Sequence, residues 1–283
     1  HERGKLEEPS WWDLRRSDPK KFFSLDAVNE LAEAEFFSAI GNRLRGATND
    51  VLLFVHGYNN TFQFAVLRTA QIVHDIRFPG VPMIFSWPSA GNVLRYSHDE
   101  KQAEQSDGAL SHVLERLIKD RQKSPSGGMA RIHVIAHSMG NRVLLRAMHR
   151  IRNLIQGNDP PFGHVIMAAP DVQATEFVSL LPTVFKSAAS TTLYFCREDT
   201  ALKLSRGIHV NGRVGEGPVF VPPLENIDAA KANTSLLGHD YFVSRSELLI
   251  DLELLVNLDL QPGRRSTLRS TTSPLGFGYW FFP

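Results

Sequence analysis

Apolar runs of strand length recur along this chain, and each is followed by a stretch with helical spacing. VLLFVH at 51–56 precedes TFQFAVLRTAQIVHDI, and PMIFSW at 82–87 precedes HDEKQAEQSDGALSHVLERLIK. RIHVIA at 131–136 precedes MGNRVLLRAMHRIRNLIQ, for which Gly157 is the expected stop. HVIMAA at 164–169 precedes TEFVSLLPTVF, and TTLYFC at 191–196 precedes the short helical stretch TALKLS. Unbroken apolar strands are buried on both faces, and strands that alternate with helices must run parallel. The pattern therefore predicts an α/β fold: a doubly wound, mostly parallel sheet with helices on both faces. LDAVNELAEAEFFSAIGNRL at 25–44 and DYFVSRSELLIDLELLVNL at 240–258 read as flanking amphipathic helices, and NIDA at 226–229 as a last short strand. No internal repeat is present.

A chain of 283 residues, 42% hydrophobic and 22% charged, suits one large domain rather than two. Residues 1–20 read as a charged, proline-punctuated arm anchored by Trp11 and Trp12, residues 21–258 as the sheet domain, and residues 259–283 as an extension packed on it. Inside that extension, the Ser/Thr-rich segment from Ser266 to Ser273 reads as loop, while GFGYWFFP is too apolar for a free tail. The 31 basic and 30 acidic residues nearly cancel, and no Lys/Arg tract stands out, which argues against a nucleic-acid partner. A single cysteine, Cys196, excludes an internal disulfide and a cysteine-cluster metal site. No run of 18 apolar residues exists to form a transmembrane segment. The chain begins at His1 rather than Met, which leaves room for a signal peptide or anchor already removed. Composition does not choose between cytoplasm and periplasm, and oligomeric state is not legible.

The stretch IHVIAHSMGNRVLL at 132–145 carries the chemistry. A strand turns abruptly into a helix at Ser138, with Ala136 two residues before and Gly140 two after. Such a turn strains the backbone at its centre and brings the flanking residues against neighbouring chain, so both must be small. It also lifts the serine to the carboxyl end of a parallel strand, where ligands bind in open α/β sheets. The expected result is an accessible nucleophile rather than a helix cap.

A serine hydroxyl needs a base, and the base needs an orienting acid. Two histidines follow the last strong strand. His239, in SLLGHDYF directly before a helix, has a firmer platform than His209 in the Gly/Pro-rich stretch 207–225. For the acid, Asp199 after TTLYFC is preferred, with Asp171 in AAPD as the alternative acid or a substrate-side residue. The oxyanion requires backbone N–H donors, expected from Met139 after the nucleophile and from Tyr58 in the HGYNN turn. His56 is expected to shape that turn rather than to act as a base. In a doubly wound sheet, TTLYFC should lie beside NIDA, whose following loop carries His239, and HVIMAA should lie next to the strand of Ser138.

FVHGYNNTF, FSWPSAG, IAHSMGNRVLL, AAPDV, REDTAL and LGHDYF together resemble the α/β-hydrolase superfamily. Within it, the likeness is to the bacterial family labelled DUF900, and it runs from about Asp18 to Asn257. The resemblance implies a Ser138–Asp199–His239 triad in the order nucleophile, acid, base, and an oxyanion hole from the Tyr58 and Met139 N–H groups. Ala136 stands where the superfamily commonly has a glycine, a small residue that leaves the nucleophile assignment intact. The family supplies no substrate.

The chain has no HExxH, P-loop or dinucleotide fingerprint. SHDE at 97–100 is read as a helix start, because four consecutive polar residues cannot all face one metal ion. The expectation is a cofactor-free serine hydrolase without a metal, most simply a carboxylesterase acting on small or medium acyl esters. Thioesterase, lipase, amidase and acyltransferase share the same triad. The competing class is a non-catalytic binding or envelope-associated protein that uses the aromatic ends as contact surface.

Overall fold

Every side chain of Val51–Val55 is buried, and this run forms β1, second from one edge of the sheet. In the computed structural model, residues 3–6, 23–44, 49–123, 129–155, 159–197, 213–230 and 245–283 are described. Beside β1 lie β2 (Val81–Phe85) and β3 (Ile132–His137), followed by β4 (Phe162–Ala168), β5 (Ala188–Phe195) and β6 (Glu225–Asp228). All of these pair in parallel. The hairpin of β7 (Arg269–Thr272) and β8 (Gly278–Phe281) completes an eight-stranded sheet in the order β2-β1-β3-β4-β5-β6-β8-β7. β8 runs parallel to β6, and β7 antiparallel to β8.

Alternate residues of each strand feed two separate cores, as a pleat with two covered faces requires. Leu53, Val134, Val165 and Leu193 pack on one face with Phe37 and Ile40 of α1 (Glu33–Leu44), Leu114 of α3 (Tyr96–Lys123), Leu144 of α4 (Gly140–Arg150) and Phe177 of α5 (Ala174–Ser187). Leu52, Phe54, Ile135, Ile166 and Tyr194 pack on the other with Ile72 of α2 (Phe62–Asp75) and Leu248 and Leu252 of α6 (Ser246–Val256).

Two expectations need correction. The helix expected over 25–44 begins only at Glu33. Val28 and Leu31, which carried the earlier apolar spacing, are exposed, so that stripe has no core to bury against. Instead Glu35 accepts a hydrogen bond from the Ala32 N–H and starts the helix there, one half of a capping box. The Ser/Thr-rich segment read as loop contains β7. Its alternating polar residues suit a strand at the sheet edge with one solvated face. The aromatic close of the chain is β8: Phe282 is buried, and Trp280 packs on the α2/α6 core.

Below α2 and α6, two buried histidines from neighbouring strands, His133 and His164, stack at 5.0 Å. Asp50 and Asp259 flank the pair, and Arg131 bonds Asp259. Burial, then the neighbouring His133, depresses the His164 pKa from 6.5 to about 4. The fold thus favours neutral His164. This contribution to stability is complete above about pH 6.5 and declines as pH falls toward 4. Melting temperature should therefore drop over that window, and His164→Phe, which keeps a stacked ring but cannot titrate, should flatten the dependence. An unchanged slope in the variant would show that this pair does not set it.

Candidate active site

The turn between β3 and α4 places Ser138 in the left-handed region, with φ 52°. Its backbone is tied on both sides. The Ser138 N–H donates to Ala168 O at 2.9 Å, and its carbonyl accepts from Asp171 N at 3.2 Å and from Asn141 N at 3.1 Å. The Asn141 amide then donates to three carbonyls, Ala136 O, Ser138 O and Ala168 O, at 3.0–3.2 Å. One side chain thereby clamps the ends of β3 and β4 around the turn. Met139, not Ser138, is the N-cap residue of α4.

Two glycines let neighbouring backbone reach this turn. A Cβ on Gly140 would lie 2.4 Å from His56 O, and one on Gly57 would lie 2.9 Å from Ser138 Cβ. The β1–α2 turn therefore sits directly against the serine. Ser138 is only 1% exposed, which corrects the expectation of an openly accessible hydroxyl. The close approach of Gly57 on one side and the bonded Asp171 strand end on the other enclose it.

The HGYNN turn is held from several directions. His56 Nε2 accepts from the Trp87 N–H at 3.1 Å, so the neutral ring carries its proton on Nδ1, 2.8 Å from Gly57 O. Burial pushes the His56 pKa down, consistent with that neutral state. The Asn60 amide also donates to Gly57 O, at 3.0 Å. With that carbonyl fixed by two donors, the N–H of Tyr58 across the same trans peptide must point the opposite way. Among the described residues, neither the Tyr58 nor the Met139 N–H has a hydrogen-bond partner. His56 thus shapes the turn as expected.

Asp171 lies beside the serine, but its carboxylate is engaged. Oδ2 accepts from Tyr96 Oη at 2.6 Å and Oδ1 is ion-paired with Arg213 Nε at 3.0 Å, while Arg142 Nε donates to its carbonyl at 2.7 Å. Glu100 pairs with Arg142 and lies 3.9 Å from Arg213. Burial alone lowers the Arg142 pKa, yet Asp171, Tyr96 and Glu100 outweigh it and raise it. Two buried guanidinium groups and two carboxylates thus form a balanced cluster next to Ser138. Sequence reading passed over Asn141, Arg142, Arg213, Tyr96 and Asp99. For Asn141, Arg142 and Asp99 the signal was polar character at buried positions of a helix, whereas Arg213 lies outside any helix and gave none.

The preferred acid Asp199, the base His239 and the alternative base His209 lie outside the described residues. The strands that lead to them do not. β5 pairs with β6, and β4 with β3, as the placement of the candidate acids assumed. Among the described residues, no group of three or more metal-ligating side chains could hold a metal ion.

A left-handed serine at the carboxyl end of a central parallel strand, backed by a close glycine turn, is the architecture of an α/β hydrolase. The chain belongs to the family described as alpha/beta hydrolase of unknown function, DUF900, whose model matches residues 32–256. An uncharacterized protein, alr1448, of Nostoc sp. is 38% identical over 132 residues, covering 38% of this chain. The chain spans only 33% of that relative's length. Among solved structures, esterase PE8 is similar at a TM-score of 0.44 and 16% identity, covering 77% of this chain and 95% of PE8. Phospholipase PlaB from Legionella pneumophila, in complex with thio-NAD, is similar at 0.44 and 12%, covering 82% of this chain and 67% of PlaB.

The glycine contacts generate a stability test. Gly140→Ala forces a methyl into backbone oxygens and should cost roughly 1–3 kcal/mol in urea denaturation. Gly108→Ala, inside α3 with nothing within 4 Å, should instead stabilise by roughly 0.5–1 kcal/mol. Equal effects from the two changes would contradict the close approach at Gly140.

Proposed function

We propose that this protein is a serine hydrolase cleaving small or medium acyl esters, with Ser138 as nucleophile, His239 as base and Asp199 as the orienting acid. The observation that supports this reading is the left-handed Ser138, packed against the Gly57 turn, with the backbone N–H groups of Tyr58 and Met139 unpartnered among the described residues. A backbone N–H shielded from water without a partner is costly, and a place where negative charge develops during reaction would account for both. Ser138 Oγ attacks the ester carbonyl carbon and His239 takes its proton. The tetrahedral oxyanion rests on the two N–H groups, and the alkoxide leaves with the proton that His239 returns. Water, deprotonated by the same ring, then attacks the acyl-serine and releases the acid.

Asp199 is preferred over Asp171 because Asp171 Oδ2 already accepts from the Tyr96 hydroxyl and Oδ1 is ion-paired with Arg213. Apolar substrate surface is favoured by Phe62, Val93 and Leu94, which are exposed beside the Tyr58 turn; Tyr58 Oη itself donates to Val93 O at 2.7 Å. The described helices α1 to α6 all contribute buried residues beneath the sheet layers, so none of them forms a separate lid. The non-catalytic reading drew on the aromatic C-terminus as a contact surface, and that segment is a strand of the sheet.

Ser138 should be labelled by a fluorophosphonate and lose both labelling and p-nitrophenyl ester turnover on Ser138→Ala, with the fold retained. Labelling at a different serine, with activity intact in the variant, would sink the assignment. Across a panel of increasing acyl length, turnover should be highest for short and medium chains.

The base and acid make a separate prediction. kcat/KM should rise with pH through an apparent pKa near the ordinary histidine value of about 6.5. His239→Ala should reduce the rate by about a thousandfold or more, and Asp199→Asn should cost far more in kcat than Asp171→Asn. A comparable loss from His209→Ala, with His239→Ala near wild type, would move the base elsewhere. Asp171→Asn as the more damaging change would reverse the choice of acid.

A further inference from the structure

The four residues SHDE at the start of α3 have no part in the triad, yet the third of them is fully buried: Asp99 is 0% exposed. Its carboxylate gathers donors from two separate loops. Oδ2 accepts from the Asn59 N–H at 3.1 Å and from Ser89 Oγ at 2.6 Å. Oδ1 accepts from the Ala90 N–H at 2.7 Å and lies 3.3 Å from His98 Nδ1. Ser89 Oγ in turn accepts from the Asn60 N–H at 3.1 Å. Asn59 itself is left-handed, with φ 59°, a conformation that asparagine tolerates better than most residues but that still needs holding.

We propose that Asp99 is a positioning residue for the oxyanion hole: by binding the Asn59 N–H it fixes the peptide next to Tyr58 and so sets where the Tyr58 N–H points. The inference rests on the serine-hydrolase reading and adds to it a residue that touches neither substrate nor nucleophile. Two anchors define the turn. His56 and Asn60 hold the Gly57 carbonyl from one side, and Asp99 holds the Asn59 N–H from the other. Tyr58 lies between them, so its N–H direction follows from both. Carboxylate is the side chain this place requires, because the Asn59 and Ala90 N–H groups and the Ser89 hydroxyl that face it all donate. An amide would turn an NH2 group toward either Asn59 or Ala90, set donor against donor, and release one loop.

Asp99→Asn should lower kcat by roughly tenfold to a hundredfold, because a donor displaced by about an ångström loses much of its preference for the transition state. KM should stay within about threefold, since the hole forms its full bonds only to the oxyanion. The decisive readout is the rate ratio between an ester and its thionoester, measured on folded full-length protein. Sulfur is larger and a poorer acceptor, so a well-set hole favours the oxygen substrate and a displaced one favours it less. The ratio should fall in Asp99→Asn, whereas damage to packing alone leaves it unchanged. Ser89→Ala, which keeps the carboxylate but removes one tether, should show a few-fold loss in kcat and a smaller fall in the ratio. It carries the test where Asp99→Asn does not fold. A wild-type ratio in folded variants, or kcat within twofold of wild type, overturns the proposal while fluorophosphonate labelling of Ser138 leaves the serine chemistry standing. An unlabelled wild-type protein would remove the reading on which the inference rests, and the inference with it.

Discussion

The site depends on backbone packed against backbone where the β3–α4 turn meets the end of β1. Gly140 lies where any Cβ would strike the carbonyls of Val55 and His56, and Gly57 lies where one would strike Ser138. Those contacts force α4 to begin immediately after the serine and force the serine itself into φ 52°. A left-handed serine costs energy that an extended one does not. The surrounding bonds supply the compensation: Ser138 N to Ala168 O, Asp171 N to Ser138 O, and the three donations from the Asn141 amide. The Asn141 carbonyl oxygen remains buried and without a hydrogen bond, so the clamp is bought at the expense of one unsatisfied acceptor.

Charge is arranged around this turn so that each buried guanidinium faces a carboxylate. Arg142 follows the serine in α4, and Arg213 reaches in from beyond β5; both are buried. Isolated guanidinium groups at that depth would be prohibitive, but Asp171, Glu100 and the Tyr96 hydroxyl meet them. Removing one partner of such a cluster is far more costly than never having built it, because the other charge stays behind. Tyr96, Asp99 and Glu100 all belong to the first five residues of α3. That segment braces both sides of Ser138, the HGYNN turn through Asp99 and the Asp171 strand end through Tyr96, with Glu100 pairing the Arg142 that bonds the Asp171 carbonyl.

Much of this was legible in the sequence because period and local sterics carry it. The unbroken apolar runs announce buried parallel strands, and the small residues around Ser138 announce a sharp turn. Less legible was anything that depends on which element lies beside which. SHDE reads equally well as a solvated helix start, and only the tertiary fold shows Asp99 facing Asn59 and Ala90 across the loops. The burial of Ser138 was missed for the same reason, since a strand-end serine is open until a neighbouring turn closes on it. The helix expected to start at Leu25 failed differently. Its spacing was helical, but no core lay opposite Val28 and Leu31.

The C-terminal hairpin shows how a distant segment bears on the site. β6 is only four residues long and would otherwise be an exposed edge. β8 pairs with it, and Arg265, just before the hairpin, reaches under the sheet to Asp251 of α6 and Glu225 of β6. Thr192 of β5 donates to the same Glu225 carboxylate, and the Tyr194 hydroxyl donates to Asp251. One buried guanidinium therefore joins the C-terminal segment, α6, β5 and β6. These two strands lead to the segments that carry Asp199 and His239. Relative placement of an acid and a base depends on the strands that deliver them, and a short edge strand held by a few bonds would deliver them loosely. The extension past residue 258 thus supports the site although it contains none of the candidate residues. Loosening at Arg265 would reach the candidate site through β5 and β6, whereas loosening at Asp99 would reach it through the HGYNN turn.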